Sequence, residues 1–119
     1  MVGITAVLIN ISTVGSLTPG TAEIAYSMAK AGLNALTIGL AAAYAPRVRS
    51  NAILPGVVRT DMAKAWSDEQ WAQNLAAIPL SRAGEPGDVA ATALWLASDA
   101  SAWVTGTLTR VDGGMYRRV

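Results

Sequence analysis

The sequence of 119 residues contains no cysteine and no histidine, and only 14% of its residues are charged. Without cysteine the chain can form neither a disulfide nor a thiolate metal site, and without histidine it lacks the commonest metal ligand and the commonest general base. Catalysis would have to use other groups, and we expect no metal site. The formal net charge of +1 provides no concentration of positive charge for phosphates, so we expect no nucleic-acid partner.

The sequence also lacks a hydrophobic run long enough to cross a membrane. Its longest stretch of low charge, residues 31–46, is interrupted by Asn34 and Thr37 and is shorter than a membrane span. No charged segment followed by an apolar one opens the chain, as a secretory signal would require. These features predict a soluble, cytoplasmic protein without a membrane partner. Because 52% of the residues are hydrophobic, the chain should bury apolar surface, its own or a partner's.

The segments that are present alternate between strand and helix patterns. Runs rich in β-branched residues at 6–12 and 48–54 predict buried strands, and the alanine- and leucine-rich segment 24–44 predicts a long helix between them. Pro55 and Gly56 should end the second strand. The rest of the pattern predicts one or two short, mobile helices within 61–80, a helix at 85–97 and a last strand at 107–111.

A strand, a helix and a strand in this order normally form a parallel βαβ unit, which predicts an α/β fold. Residues 1–119 read as one piece with three strands and about three covering helices. Apolar residues occupy nearly the whole circumference of the long helix, among them Ala29, Leu33, Leu36, Leu40 and Ala43. We therefore expect this helix to be covered on more than one side, in part by another subunit.

Tyr26 and Lys30 are four residues apart near the start of the long helix, so their side chains project from one face. A free phenol titrates near pH ~10, too high for efficient proton exchange at neutral pH, and a nearby ammonium favours the phenolate. Lys30 can supply that charge. Taken alone, the spacing favours a surface pair without chemistry. The hydroxyls of Ser12 and Thr13, at a strand end where α/β folds open their ligand crevices, favour the catalytic interpretation.

Five segments of the chain share their order and spacing with a known enzyme family. They are Asn10-Ile-Ser-Thr13, Tyr26-Ser-Met-Ala-Lys30-Ala-Gly32, Asn51-Ala-Ile-Leu-Pro55-Gly56-Val-Val-Arg-Thr60, Arg82-x-Gly-x-Pro-x-Asp88-Val-Ala, and Val104-Thr-Gly106 with Val111-Asp-Gly-Gly114. Together they resemble the classical short-chain dehydrogenase/reductase family over nearly the whole chain. The resemblance implies the C-terminal half of a Rossmann-like, doubly wound parallel sheet, since the Gly-rich, phosphate-binding half is not in this sequence.

The resemblance implies a role for each catalytic candidate. Tyr26 would give a proton to the substrate carbonyl or take one from the alcohol, and Lys30 would also bind the nicotinamide ribose. The hydroxyl that orients the carbonyl lies thirteen residues before the tyrosine, which gives Thr13 where the family commonly has serine. Ser12 is the alternative, because Gly15 then falls at the family's spacing at the expense of one extra loop residue. We prefer Thr13 on sequence grounds.

The resemblance also implies a cofactor, NAD or NADP, which the sequence does not distinguish. Pro55, Gly56, Val58 and Thr60 would line the nicotinamide. Residues 61–80 match the family's substrate lid, with Met62, Trp66 and Trp71 as candidates for its apolar wall, although both tryptophans could instead fill the core or an interface. The Asp-Gly-Gly turn at 112–114 is assigned no chemistry.

Two functions remain open from the sequence. In the first, the chain is a C-terminal fragment of an NAD(P)-dependent oxidoreductase that interconverts a carbonyl and an alcohol of a small molecule, inactive by itself, from a protein expected to be a homo-oligomer. In the second, it is a catalytically silent, truncated scaffold that acts through contacts with other subunits.

Overall fold

The computed structural model describes residues 3–18, 20 and 23–118, which form a parallel sheet with helices packed against it. The strands are β1 (Ala6–Ile11), β2 (Val48–Pro55) and β3 (Leu108–Val111), in the order β1-β2-β3 with both pairs parallel. The helices are α1 (Ile24–Ala43), α2 (Asp68–Ala76) and α3 (Pro86–Ala97), with short 3₁₀ turns at Val14–Ser16, Asp61–Ala65 and Asp99–Ser101. This confirms the predicted α/β fold.

The core lies on β2, the central strand. Ala52, Ile53 and Leu54 have no exposed surface, because β1 and β3 flank the strand while α1 and α3 pack against it. Val14, Leu17, Leu108, Met115 and Tyr116 complete the apolar cluster around Ala52 and Leu54. The carboxyl ends of β1 and β2 therefore rest on one rigid core, and the loops that follow them carry the candidate site.

The second strand runs one residue further than the sequence predicts. Pro55 pairs with Val111 as the last residue of β2 instead of terminating the strand before it. On the side of β3, the N–H of Gly56 donates to Val111 O and the N–H of Ala52 donates to the oxygen of Thr107, the residue before the strand. On the other side, the carbonyl of Ile53 accepts from the N–H of Ser12. By this alternation Pro55 faces the side of β1, where β1 has already ended, so its missing N–H costs no ladder hydrogen bond.

Helix α1 buries polar side chains and exposes apolar ones. Ser27, Asn34 and Thr37 are at most 6% exposed, and we call these three residues the polar face of α1. Ile24 and Met28, on the outer side, are 66% and 70% exposed. Of the five apolar residues named from the sequence, Leu33 and Leu40 are half-buried, while Ala29, Leu36 and Ala43 are exposed. The predicted burial on more than one side does not occur among the described residues, because the sheet and the Val14–Ser16 turn contact a single face of α1.

Segment 61–80 contains the 3₁₀ turn Asp61–Ala65 and the short helix α2, which agrees with the predicted one or two short helices. Ser67 begins α2 with a capping box, in which its hydroxyl accepts from the Gln70 N–H and the Gln70 side chain accepts from the Ser67 N–H. Helix α3 starts with Pro86 in its first turn, and the carboxylate of Asp88 accepts from the main-chain N–H of Glu85. Of the helices described, none is both long enough and apolar enough to span a bilayer.

Candidate active site

Tyr26 and Lys30 lie beside the carboxyl end of β1, on the first turns of α1. Lys30 Nζ donates a hydrogen bond to the main-chain oxygen of Ile11, the last residue of β1, at 2.8 Å. The same ammonium lies 5.8 Å from the centre of the Tyr26 ring. Tyr26 is 51% exposed, so a ligand can reach its side chain. The structure thus brings these two predicted residues together at the strand end.

Ser12 and Thr13 follow β1 directly, and their hydroxyls lie in different surroundings. Ser12 is 4% exposed, and its hydroxyl donates to the main-chain oxygen of Lys30 at 3.3 Å. Thr13 is half-buried and caps the Val14–Ser16 turn, where Oγ1 accepts from the Gly15 N–H at 3.2 Å. The Thr13 hydroxyl accepts this bond and keeps its own hydrogen for another partner, whereas Ser12 has already committed its hydrogen to the helix.

The predicted cofactor residues form the exit from β2. Val58 makes a parallel bridge with Gly84, supported by hydrogen bonds from Gly84 N to Val57 O and from Arg59 N to Gly84 O, both 2.8 Å. Thr60 is exposed and precedes the Asp61–Ala65 turn without using its side chain as a cap. These contacts hold the residues before and after segment 61–80 next to each other, so both ends of the segment lie at the same place in the fold.

The two tryptophans of this segment contact each other. The rings of Trp66 and Trp71 pack edge to face with centroids 5.0 Å apart, and both residues are half-buried. The guanidinium of Arg59 lies 4.9 Å from the Trp71 ring and 3.4 Å from a carboxylate oxygen of Glu85. Arg59 thereby links α2 to the start of α3. The side chain of Met62 lies outside the described part of the chain, so its predicted place in a substrate wall stays a prediction.

An ion pair fixes the far end of the segment. Two guanidinium nitrogens of Arg82 donate to the two carboxylate oxygens of Asp88, at 2.8 and 3.1 Å. These hydrogen bonds, together with the one from Glu85 N, lower the pKa of Asp88 to about 2. The same carboxylate raises the pKa of Arg82. Asp88 is thus a structural anion, and the pair holds the return of the chain against α3.

Neither of two cavities that described residues form is lined by Tyr26 or Lys30. The first, of about 150 Å³, lies beneath the Val58–Gly84 bridge and includes Arg82, Asp88 and Asp112 in its lining. The second, of about 330 Å³, lies between the turn after Thr13 and the last residues of the chain. Among the described residues there is no cluster of three or more acidic side chains that could hold a metal.

The residues that anchor the turn after Thr13 were not singled out from the sequence. Asn34 Nδ2 donates to Ser16 Oγ at 2.8 Å, and Ser16 Oγ donates to the main-chain oxygen of Thr13 at 2.6 Å. Asn34 and Thr37 count in the sequence only as interruptions of an apolar helix. The available signal was their spacing, because Lys30, Asn34 and Thr37 recur every three or four residues and so share one face with Ser27.

The residues present fit a nicotinamide cofactor in part. The ammonium of Lys30 has three hydrogens, one of which goes to Ile11, so two remain for the hydroxyls of a ribose. Thr60 adds an exposed hydroxyl near the exit of β2. A Gly-rich turn, which would hold the pyrophosphate of the cofactor, does not occur in this sequence. Neither Lys30 nor Thr60 requires such a turn for its own contact with the cofactor.

Comparison with known proteins identifies the family. The family model described as Enoyl-(Acyl carrier protein) reductase matches residues 1–116. The chain is 42% identical over 109 residues to the 7alpha-hydroxysteroid dehydrogenase of Clostridium sardiniense, covering 90% of this chain and 42% of that protein. It is 38% identical over 110 residues to the 3-oxoacyl-(acyl-carrier-protein) reductase of Vibrio cholerae serotype O1, covering 92% and 45%.

A solved structure from Agrobacterium tumefaciens, described as a 2-deoxy-d-gluconate 3-dehydrogenase with bound NADP, superposes with a TM-score of 0.92 and 32% identity, over 96% of this chain and 48% of its own. The fold and the comparisons define an oxidoreductase class built on a Rossmann-like sheet. The chain belongs to the short-chain dehydrogenase/reductase family. It spans less than half of the length of these relatives.

Proposed function

We propose that the chain carries the catalytic residues of an NAD(P)-dependent oxidoreductase that interconverts a carbonyl and an alcohol. The observation that supports this most is the placement of Tyr26 and Lys30 on one face of α1, beside the hydroxyl-bearing end of β1. The bound nicotinamide would supply or accept the hydride. Tyr26 would give its phenolic proton to the carbonyl oxygen during reduction and take it back during oxidation.

The remaining candidates have positioning tasks in this proposal. Thr13 orients the carbonyl, because its hydroxyl hydrogen is free while that of Ser12 is given to Lys30 O. Lys30 holds the ribose and presents a positive charge to the ring of Tyr26. Pro55, Gly56, Val58 and Thr60 support the nicotinamide from the exit of β2. Residues 61–80 act as a substrate lid that excludes water, with Arg59, Trp71 and Glu85 holding α2 at its base.

The relatives suggest two alternative substrate classes. One matched relative is named for a hydroxysteroid and another for a 3-oxoacyl group on a carrier protein. Both substrates present a secondary alcohol or its ketone on an apolar body, which suits the two tryptophans of the lid. A hydroxysteroid and a 3-oxoacyl thioester are therefore the first two assay substrates.

The first experiment is a titration of the purified chain with NADH and with NADPH, followed by cofactor fluorescence. Saturable binding of one cofactor is expected if this chain forms its site alone or across subunits, and the tighter cofactor answers the choice between NAD and NADP. A folded sample that binds neither would contradict activity of the 119 residues by themselves. Turnover would then be measured with a nucleotide-binding half from a relative supplied as a second chain.

The second experiment removes the phenolic hydroxyl of Tyr26. In the active preparation, Tyr26→Phe is expected to lower kcat by about 10²- to 10⁴-fold, the usual contribution of a positioned general acid. Tyr44→Phe is the matched control, since Tyr44 is 58% exposed at the other end of α1, and it should leave kcat unchanged. Normal turnover by Tyr26→Phe would overturn the assignment of the proton donor.

A second proposal concerns assembly. The outer side of α1 exposes Ile24, Met28 and Leu36, and α3 exposes Leu94 and Trp95. Apolar surface of this extent is typical of a contact with another protein. We propose that copies of the chain associate through these helices, which would also serve the silent-scaffold alternative if no cofactor binds.

A further inference from the structure

We propose that Asn34 is a positioning residue for the reaction, which holds the hydroxyl of Thr13 in place relative to Tyr26 through Ser16. This inference rests on the proposed function, because it concerns the geometry of that same site. It adds two residues, Asn34 and Ser16, that touch neither substrate nor cofactor in the proposal. Both act on the turn that presents Thr13.

The connection consists of two hydrogen bonds in series. Asn34 Nδ2 donates to Ser16 Oγ at 2.8 Å, and Ser16 Oγ donates to Thr13 O at 2.6 Å. The Ser16 N–H donates to the same carbonyl at 3.1 Å. Since the Ser16 hydroxyl spends its hydrogen on Thr13, it must accept from Asn34, which fixes the amide with its nitrogen toward Ser16. The backbone of Thr13 is thereby tied to α1.

Asn34 lies on the helix that carries the acid–base pair. It follows Lys30 by four residues and Tyr26 by eight, so all three lie along one side of α1. Three other hydrogen bonds connect the end of β1 to this helix, from Lys30 Nζ to Ile11 O, from Ser12 Oγ to Lys30 O and from Asn10 Nδ2 to Thr37 Oγ1. All three end before Thr13. The bond from Asn34 is the one that reaches the turn beyond it.

The chemistry of Asn34 argues against a role in stability alone. The residue is 6% exposed, and its Oδ1 atom is buried with no hydrogen-bond partner among the described residues. A half-satisfied amide in the interior is less favourable than an apolar side chain of the same size. A leucine would suit the helix and the core better. The amide is explained by the position that it imposes on Ser16 and Thr13.

The Asn10–Thr37 pair provides a matched control. Asn10 Nδ2 donates to Thr37 Oγ1 at 3.0 Å, which is also a hydrogen bond between the end of β1 and the polar face of α1. Thr37 has no exposed surface, and this bond does not reach the turn after Thr13. Thr37→Val therefore disturbs the same contact between helix and strand while leaving the Ser16 connection in place.

The first test uses the chain itself and needs no cofactor. Asn34→Leu should raise the hydrogen-exchange rates of the Gly15 and Ser16 amides at least tenfold, because the turn loses its anchor. Thr37→Val should leave these two rates within twofold of the unmodified chain. If Asn34→Leu does not fold, Ser16→Ala removes the same connection from the loop side, and Ser16→Thr should restore it. Unchanged exchange in Asn34→Leu, or in Ser16→Ala where that variant replaces it, would overturn the proposal.

The second test measures turnover with NADPH or NADH and whichever assay substrate reacts. Asn34→Leu is expected to lower kcat about 10- to 100-fold with an unchanged cofactor Kd, since a displacement near 1 Å at a reacting group has effects of this size. Thr37→Val should stay within twofold. In a Thr13→Ala background, Asn34→Leu should have no further effect on kcat. If the double variant instead lost the product of the two single fold-changes in kcat, the positioning role would be refuted. A Thr13→Ala variant with normal kcat would instead refute the proposed role of Thr13, and the exchange result would stand separately.

Discussion

At the scale of single residues, Gly56 shows that packing can dictate a residue at a proposed cofactor site. A Cβ atom on Gly56 would lie 2.7 Å from the Cβ and 3.0 Å from the Cα of Asp112, which is closer than real contacts allow. Gly56 N also donates to Val111 O. The turn after β3 therefore needs a glycine opposite it, whatever binds nearby.

Gly56→Ala is expected to destabilise the chain by about 1–3 kcal/mol, because the methyl group forces Asp112 and its turn to move. Gly39→Ala is the control, since an added Cβ there meets nothing within 4 Å and alanine favours the helix by about 0.5–1 kcal/mol. Urea unfolding of both variants measures the two effects, which should have opposite signs. A Gly56→Ala variant as stable as the unmodified chain would contradict the packing argument.

The sequence offers candidate site residues where their type and spacing carry chemistry. Tyr26 and Lys30 are candidates because a helix places residues four apart on one side, and their roles stay predictions. Ser16 is not a candidate from sequence, because a serine in a loop of Gly, Ser and Thr looks like any other, and its hydrogen bond with Asn34 forms only when the turn folds back onto the helix. The choice between Ser12 and Thr13 likewise depends on which hydroxyl turns toward the helix, which spacing does not specify.

At the scale of elements, a buried arginine holds the end of α3. Arg49 on β2 is 5% exposed, and its two terminal nitrogens donate to the main-chain oxygens of Leu96, Ser98 and Val104 and to the hydroxyl of Ser101, at 2.8–3.2 Å. Among the described residues it has no carboxylate partner. The cation is stabilised by the carbonyls that end α3.

Arg49→Met is expected to lower the free energy of unfolding by about 3 kcal/mol, because several buried carbonyl groups lose their donors together. Arg47→Met is the control, since the exposed Arg47 forms hydrogen bonds with the other described residues only through its main chain, and its substitution should stay within about 0.5 kcal/mol. Guanidinium or urea unfolding of the two variants decides this. Equal stabilities would show that water replaces Arg49 at no cost.

The Arg82–Asp88 pair makes the anchoring of α3 dependent on pH. The pKa of Asp88 is about 2 in the fold and about 3.9 in an unfolded chain. The pair therefore contributes its full stability above about pH 4, and this contribution is lost as the pH falls through about 2. We expect Asp88→Asn to unfold at lower urea than the unmodified chain between pH 5 and 8. The difference should shrink between pH 4 and 2, and a constant difference over that range would contradict the assignment.

The element pattern was largely predictable because strand and helix periodicities are local. The βαβ order, the proline in the first turn of α3 and the helices of segment 61–80 all follow from residue patterns. The extra residue in β2 did not, since Pro55 is tolerated only because β1 ends two positions earlier in the register. The buried side of α1 was not predictable from residue patterns either. Which side of an apolar helix is buried depends on the groups that face it in the fold.

At the scale of the whole molecule, the apolar surface of the chain is unevenly distributed. Met28 and Ile24 on the outer side of α1 are at least 66% exposed, and Leu94 and Trp103 are 73% and 98% exposed. Strand β1 has β2 on one side and no other strand beside it among the described residues. These surfaces support the proposal that the protein associates with further copies of itself.

We expect the chain to self-associate in a concentration-dependent way, and Met28→Lys to raise the dissociation constant at least tenfold by placing a charge on the outer side of α1. Gln73→Lys is the control, because it adds the same charge to an exposed position of α2. Sedimentation equilibrium of the three samples measures the effect. A monomer at all concentrations, or equal dissociation constants for both variants, would argue against this side of α1 as the contact.

The polar contacts between α1 and the end of β1 have a consequence for how the helix can slide. Apolar surfaces slip past one another at little cost, whereas the bonds of Lys30 and Asn34 each require one particular partner. A shift of α1 by a single turn, about 5.4 Å along its axis, would break both at once. The helix consequently has one longitudinal setting on the sheet. Tyr26 has no hydrogen bond of its own to β1 among those described. Its position is therefore determined by the position of α1 along the sheet.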